Sequence, residues 1–187
     1  LFDDQLSRSV SELPALFDTE KINLAYFGAF YFGIREPNAF LDLLSQTIEQ
    51  YPSLGLKLQV HFFGGIEPEF MAVFEKYADL SPVLQFHGLV ERAVVFQRMK
   101  EADFLLNIGN TTDYQLPSKC VDYYYSAKPI LNIQHNLKDA FEDFFEDYPL
   151  FLSIPLYKDE VDKNRTTTLR DFLQDQKGKT ADSSIVN

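Results

Sequence analysis

The segment Leu116-Pro117-Ser118-Lys119-Cys120-Val121-Asp122-Tyr123 puts a proline, a hydroxyl, a lysine and a carboxylate into the opening turns of an expected helix. A helix N-terminus exposes unpaired N–H groups and a partial positive charge. A lysine added there makes a seat for phosphate. Without an anion, Lys119 would oppose the helix dipole at a mild cost. Ser118 either donates to a phosphate oxygen or caps the helix. Asp122 lies three residues after Lys119 and shares its face. Its carboxylate suits the paired hydroxyls of a ribose, since it accepts two hydrogen bonds. One short segment is thus equipped for both the diphosphate and the sugar of a nucleotide.

A second cation, Arg35, stands just before another expected helix, at Glu36-Pro37. The dipole disfavours a cation there, whereas a guanidinium fork suits phosphate oxyanions. Gly28 and Ala29 precede it in the same loop, where backbone N–H groups could approach an anion and a side chain at 28 would block that approach. The three histidines carry less. His61 lies within an expected strand and is read as core or as a satisfied surface residue, and His135 as a rim residue. Cys120 is read as a small packed apolar residue. Asp139, Glu142, Asp143, Glu146 and Asp147 read as a solvated acidic face.

The elements that must position these residues alternate. Strand-like runs fall at Ile22–Phe30, Leu56–Phe63, Val83–Phe86, Phe104–Ile108, Pro129–Ile133 and Leu150–Leu156. Helical periodicity falls at 37–52, 68–79, 91–102 and 117–127, around Leu137–Tyr148, and at Leu169, Phe172 and Leu173. Strand then helix, repeated with short links, predicts an α/β fold: a Rossmann-like, doubly wound parallel sheet of about six strands with helices on both faces. Residues 1–20 read as a lead-in segment, 21–177 as one Rossmann-like domain, and 178–187 as a flexible tail. Ligands of such sheets bind beyond the carboxyl ends of the strands, at the switch point. Gly28, Gly64, Gly88 and Gly109 all fall at those ends.

Composition narrows the field further. The chain has 187 residues, 45% of them hydrophobic, with 18 Phe, 10 Tyr and a formal charge of −11. That acidity argues against nucleic acid and against an anionic membrane surface, while leaving room for one small anion in a local positive pocket. The single cysteine excludes an internal disulfide and a zinc constellation. No stretch approaches a membrane span and no signal peptide is visible, so a cytoplasmic setting is expected. The chain begins at Leu1 and is expected to be part of a longer protein. A P-loop is absent, and Gly28-Ala29-Phe30-Tyr31-Phe32-Gly33 lacks the spacing of a dinucleotide fingerprint.

Taken in order, Tyr26-Phe27-Gly28-Ala29-Phe30-Tyr31-Phe32-Gly33-Ile34-Arg35-Glu36-Pro37, Phe63-Gly64-Gly65, Phe86-His87-Gly88-Leu89-Val90, Ala102-Asp103, Leu116-Pro117-Ser118-Lys119 through Asp122-Tyr123, and Lys128-Pro129 resemble the C-terminal domain of GT-B glycosyltransferases. The likeness is strongest to bacterial members such as glycosyltransferase family 4. It implies a donor-binding half that holds a nucleoside diphosphate sugar as co-substrate. It further implies a separate N-terminal acceptor-binding domain, through which alone the protein would come near a membrane.

The resemblance assigns the diphosphate to Gly28, Ala29, Arg35, Ser118 and Lys119, with Arg35 and Lys119 also as the catalytic cations. It assigns the ribose to Asp122 and the base to the loop of His87 and Val90. No metal is expected, since the cations would balance the leaving diphosphate and no Asp-x-Asp motif is present. The activity implied is transfer of a sugar to a glycan or lipid-linked acceptor, absent from this domain on its own. Two departures stand out. The family usually carries Glu where this chain has Asp122, and an acid where it has Tyr114, with Asp113 beside it out of register. The alternatives are a non-catalytic nucleotide-binding or interaction module and half of a nucleotide-sugar epimerase.

Overall fold

The structure, a computed structural model, describes residues 14–112, 116–157 and 164–182. Six strands form one sheet: β1 (Ile22–Phe27), β2 (Leu58–Phe63), β3 (Leu84–Gly88), β4 (Phe104–Ile108), β5 (Ile130–Gln134) and β6 (Phe151–Pro155). The helices are α1 (Asn38–Gln50), α2 (Pro52–Gly55), α3 (Pro68–Glu75), α4 (Arg92–Glu101), α5 (Lys119–Tyr125), α6 (Ala140–Phe144) and α7 (Arg165–Asp175). A 3₁₀ turn spans Ala78–Leu80. The strand order is β3-β2-β1-β4-β5-β6, and every pairing is parallel. This is the expected Rossmann-like, doubly wound sheet.

Parallel strands bury both faces, which explains why they read as continuous apolar runs. β1 is buried at all of its positions. Alternate side chains serve opposite layers. Leu24 and Tyr26 join Phe40, Leu41 and Leu44 of α1, Phe70 and Phe74 of α3, and Leu169 and Leu173 of α7 in one core. Ala25 and Phe27 join Met99 of α4, Cys120 and Tyr123 of α5, and Phe141 of α6 in the other. Helices therefore cover both faces. The segment before β1 takes part, because Phe17 is buried and stacks on His61 at 4.2 Å. At the far end of the chain, Ala181 donates its N–H to the Ala127 carbonyl at 2.8 Å.

The layer under α4–α6 is unusually polar. Asn23, His61, Asn107 and Asn132 are all buried. Asn107 donates to Asn132 at 2.7 Å, and Asn132 donates to Asp139 at 2.8 Å and to Ser153 at 3.1 Å. Asp139 also caps α6 by accepting from the Phe141 N–H. Glu142 accepts from Gln134 at 2.7 Å. Two members of the supposed solvated acidic face thus anchor α6 onto the sheet. A buried amide needs such partners to offset its lost hydration.

The sheet order places the switch point between β1 and β4. β1 pairs with β2 on one side and β4 on the other. The chain leaves β1 and β4 for opposite faces, so the loops after them, 28–37 and 109–118, open a crevice at the carboxyl edge.

Candidate functional site

Both predicted cations lie at this crevice. Arg35 belongs to the loop after β1, and its Nε donates to Asn110 Oδ1 in the loop after β4 at 2.8 Å. Further bonds clasp the two loops together. Thr111 N donates to the Ile34 carbonyl at 2.7 Å, and Thr111 Oγ1 to the Gly33 carbonyl at 2.6 Å. Asn136 Nδ2, from the loop after β5, donates to the Asn110 carbonyl at 2.9 Å. Within the first loop, Tyr31 and Arg35 close an antiparallel bridge. Arg35 is therefore held on a hydrogen-bonded frame rather than on a free arm.

Lys119 opens α5 and reaches back over the end of β1. Its Nζ lies 4.4 Å from the centre of the Tyr26 ring and 5.4 Å from that of Tyr123, and it donates to the Phe27 carbonyl at 3.5 Å. Burial, with Arg35 as a like charge, pushes its pKa well below the ordinary lysine value. The two cations thus feel each other, and among the described residues neither forms a salt bridge with a carboxylate. Burial also lifts the Tyr26 hydroxyl to about 12, against the opposing pull of Arg35. Two positive groups facing one crevice, with no carboxylate bridged to either among the described residues, are an arrangement that an anion would relieve.

Gly28 and Ala29 follow β1 at the same end. Gly28 has φ +156°, and a Cβ there would press on the Tyr26 hydroxyl at 3.1 Å. That hydroxyl donates to the Ala29 carbonyl at 3.1 Å. Ser118 is exposed and precedes α5 without making a side-chain cap. The helix begins at Lys119 and runs only seven residues, so the cations carry more of the local field than the short dipole does.

Asp122 is half-buried on α5. It faces Arg92, at the start of α4, across 3.8 Å, and lines a groove of about 250 Å³ with Phe96, Met99 and Tyr125. His87 and Val90 belong to the β3–α4 turn. The His87 ring turns inward, stacks on Phe63 at 4.4 Å, and meets His61 Nδ1 through its Nε2 at 3.0 Å. Val90 packs partly against the core beneath α4 and α5. Tyr114 and Asp113 lie outside the described residues. Among the described residues, no cluster of His, Cys, Asp or Glu is placed to hold a metal, and no helix is long and apolar enough to cross a membrane.

Sequence reasoning misses two residues that shape this crevice, Asn110 and Tyr26, and reads Tyr123-Tyr124-Tyr125 only as a run in which some rings pack and one borders the cleft. Tyr123 lies four residues after Lys119, the spacing that brings two side chains together on a helix, and was discoverable from that alone. Tyr26 and Asn110 meet their partners only across the β1–β4 junction, which no local pattern marks.

No family profile matches the chain, and no curated protein matches it in sequence. Solved structures do match its fold. WaaG, a glycosyltransferase involved in lipopolysaccharide biosynthesis, aligns with a TM-score of 0.61 and 16% identity over 98% of this chain and 43% of its own. Alr3699/HepE from Anabaena, solved with UDP-glucose, gives 0.56 and 14% over 98% and 44%. The pneumococcal O-GlcNAc transferase GtfA, solved with UDP and GlcNAc, gives 0.57 and 13% over 82% and 28%. The chain thus has the fold of part of these glycosyltransferases and spans less than half of their length. The resemblance to a GT-B C-terminal domain holds at the level of the fold.

Proposed function

We propose that this chain is the donor-binding half of a glycosyltransferase. It takes a nucleoside diphosphate sugar into the crevice between the loops after β1 and β4. The carrying observation is the convergence of Arg35 and Lys119 there with no carboxylate partner among the described residues. The diphosphate lies across the two cations, near the backbone of Gly28 and Ala29, with Ser118 at the edge. Asp122 receives the ribose, and the turn of His87 and Val90 borders the base, with the Val90 backbone facing its edge.

When the bond from the sugar to the diphosphate breaks, negative charge grows on the departing phosphate oxygens. Arg35 and Lys119 stabilise that charge electrostatically, a contribution that rises where water is excluded. No metal is required for this step if both cations act. The acceptor, a glycan or a lipid-linked precursor, is held by a second domain. This half alone binds the donor without transferring its sugar.

UDP is the first nucleotide to test, because it occurs in two of the neighbours named above. Titration calorimetry is expected to show saturable UDP binding to the chain. Lys119→Ala should weaken it by about 1–3 kcal/mol, the scale of a charged hydrogen bond. Binding of GDP in place of UDP would reassign the base. Failure of every nucleoside diphosphate to bind would remove the proposal.

A further inference from the structure

We propose that Tyr26 and Tyr123 are positioning residues for Lys119: their ring faces hold its side-chain nitrogen at the end of β1, where an arriving diphosphate favours the ammonium over the amine. The inference rests on the nucleotide-binding reading above and adds how the site is made ready for its anion.

The geometry is specific. The Lys119 ammonium lies over the Tyr26 ring at 4.4 Å, within the distance at which a ring face attracts a cation. Tyr123 offers a second face at 5.4 Å from the same helix. Both rings are themselves fixed. Tyr26 is fully buried, stacks on Phe30 at 5.0 Å and ties its hydroxyl to the Ala29 carbonyl. Tyr123 is fully buried, and its hydroxyl donates to the Leu106 carbonyl at 2.9 Å. The cradle thus spans β1, the backbone of β4 and α5, the elements that meet at the switch point.

Ring faces and one distant carbonyl hold a cation without neutralising it. Among the described residues, the groups that meet Lys119 are Arg35 from the first loop, as a like charge, and the rings of Tyr26 from β1 and Tyr123 from α5. The nearest described carboxylates along the chain are engaged elsewhere, Glu36 with the Gly33 N–H and Asp122 with Arg92. A partly buried ammonium beside a guanidinium is pushed toward its neutral form. An anion laid across both reverses that preference, so binding and protonation are linked.

The test follows the Lys119 side-chain signal by NMR through a titration between pH about 6 and about 10, spanning the range in which a perturbed lysine titrates. It is run on the free protein and again with saturating UDP. The expected result is a midpoint below that of the exposed lysines in the free protein, rising when UDP is added. Calorimetry in buffers of different ionisation enthalpy should then show net proton uptake, which Lys119→Arg abolishes.

Tyr26→Phe, which keeps the ring, is expected to bind UDP nearly as the parent does. Tyr26→Leu, which removes it, should bind roughly tenfold more weakly, the scale of a desolvated ring–cation contact. If Tyr26→Leu does not fold, the titration of the parent still decides the matter. UDP binding that Lys119→Ala weakens, with no change in the Lys119 midpoint, would overturn the cradle alone. If neither UDP nor GDP nor any other nucleoside diphosphate binds, both the cradle and the donor-binding reading are overturned.

Discussion

Replacing Gly64 by alanine is expected to destabilise this protein more than any other small change at the crevice. Gly64 has φ +149°, a conformation that strains any side-chain-bearing residue. A Cβ there would lie 2.0 Å from the Gly28 carbonyl oxygen and 2.7 Å from its carbon. Those are backbone atoms and cannot rotate away. They are also pinned, because Gly28 N donates to the Phe63 carbonyl at 2.9 Å and Gly64 N to the Gly88 carbonyl at 2.8 Å.

Relief therefore requires the ends of β1 and β2 to part. The expected loss is about 3–5 kcal/mol, in the range reserved for backbone clash and strain. Urea unfolding with linear extrapolation measures it. Gly65→Ala is the control, since a Cβ there meets only the Leu89 side chain, at 3.9 Å, and should be nearly neutral. A loss below about 1 kcal/mol at Gly64 would mean that the β1–β2 contact is far looser than described. Because Gly28 leads into the loop that carries Arg35, the donor-binding proposal adds that whatever remains folded should bind UDP more weakly.

The second large effect is with acid. His61 is buried between β1 and β3, with Nε2 on Asn23 Oδ1 at 3.1 Å and Nδ1 on His87 Nε2 at 3.0 Å. The Asn23 amide nitrogen is already donating to the Asp18 carbonyl at 2.9 Å. His61 Nε2 must then carry the proton, Nδ1 must accept, and His87 must donate through Nε2. A second proton on His61 breaks this chain. Burial, with His87 adding to it, lowers the His61 pKa from 6.5 to about 4.

The unfolded chain thus binds a proton below pH about 6.5 that the folded chain refuses until pH about 4, so stability falls as pH falls through that window. His87 and His135, whose pKa values are also lowered, act in the same direction. The His61 share is about 3 kcal/mol between pH 7 and pH 4. Denaturant unfolding of the parent and of His61→Gln across that range should show the slope flattening in the variant. An equal slope in both would show that His61 is not the group being titrated.

Some features were legible in the chain because they are local. The apolar runs and helical spacings marked every strand of the sheet, within a few residues. Where boundaries shifted, a tertiary reason is visible. The first strand stops at Phe27 rather than at Phe30, because the backbone turns at Gly28 while Phe30 remains buried against Tyr26. An apolar loop residue that folds back onto its own strand looks, in one dimension, like more strand. The helix expected to start at Pro117 starts at Lys119, and Ser118 makes no side-chain cap. Asp139 and Glu142 looked like solvated charge because their amide partners, Asn132 and Gln134, belong to a neighbouring strand rather than to their own helix.

The order of residue types along the chain, taken alone, was enough to determine the layered α/β architecture and which loops gather at the carboxyl edge of the sheet. Periodicity and glycine punctuation are short-range properties, and they are written in neighbouring residues. What only the tertiary structure decided is that Arg35 and Lys119 share a crevice, that Tyr26 lies beneath one of them and that Asn110 holds the other. Those meetings depend on β1 lying beside β4, a pairing between distant segments. Its stability comes from the whole packed sheet, so no local stretch of sequence carries it.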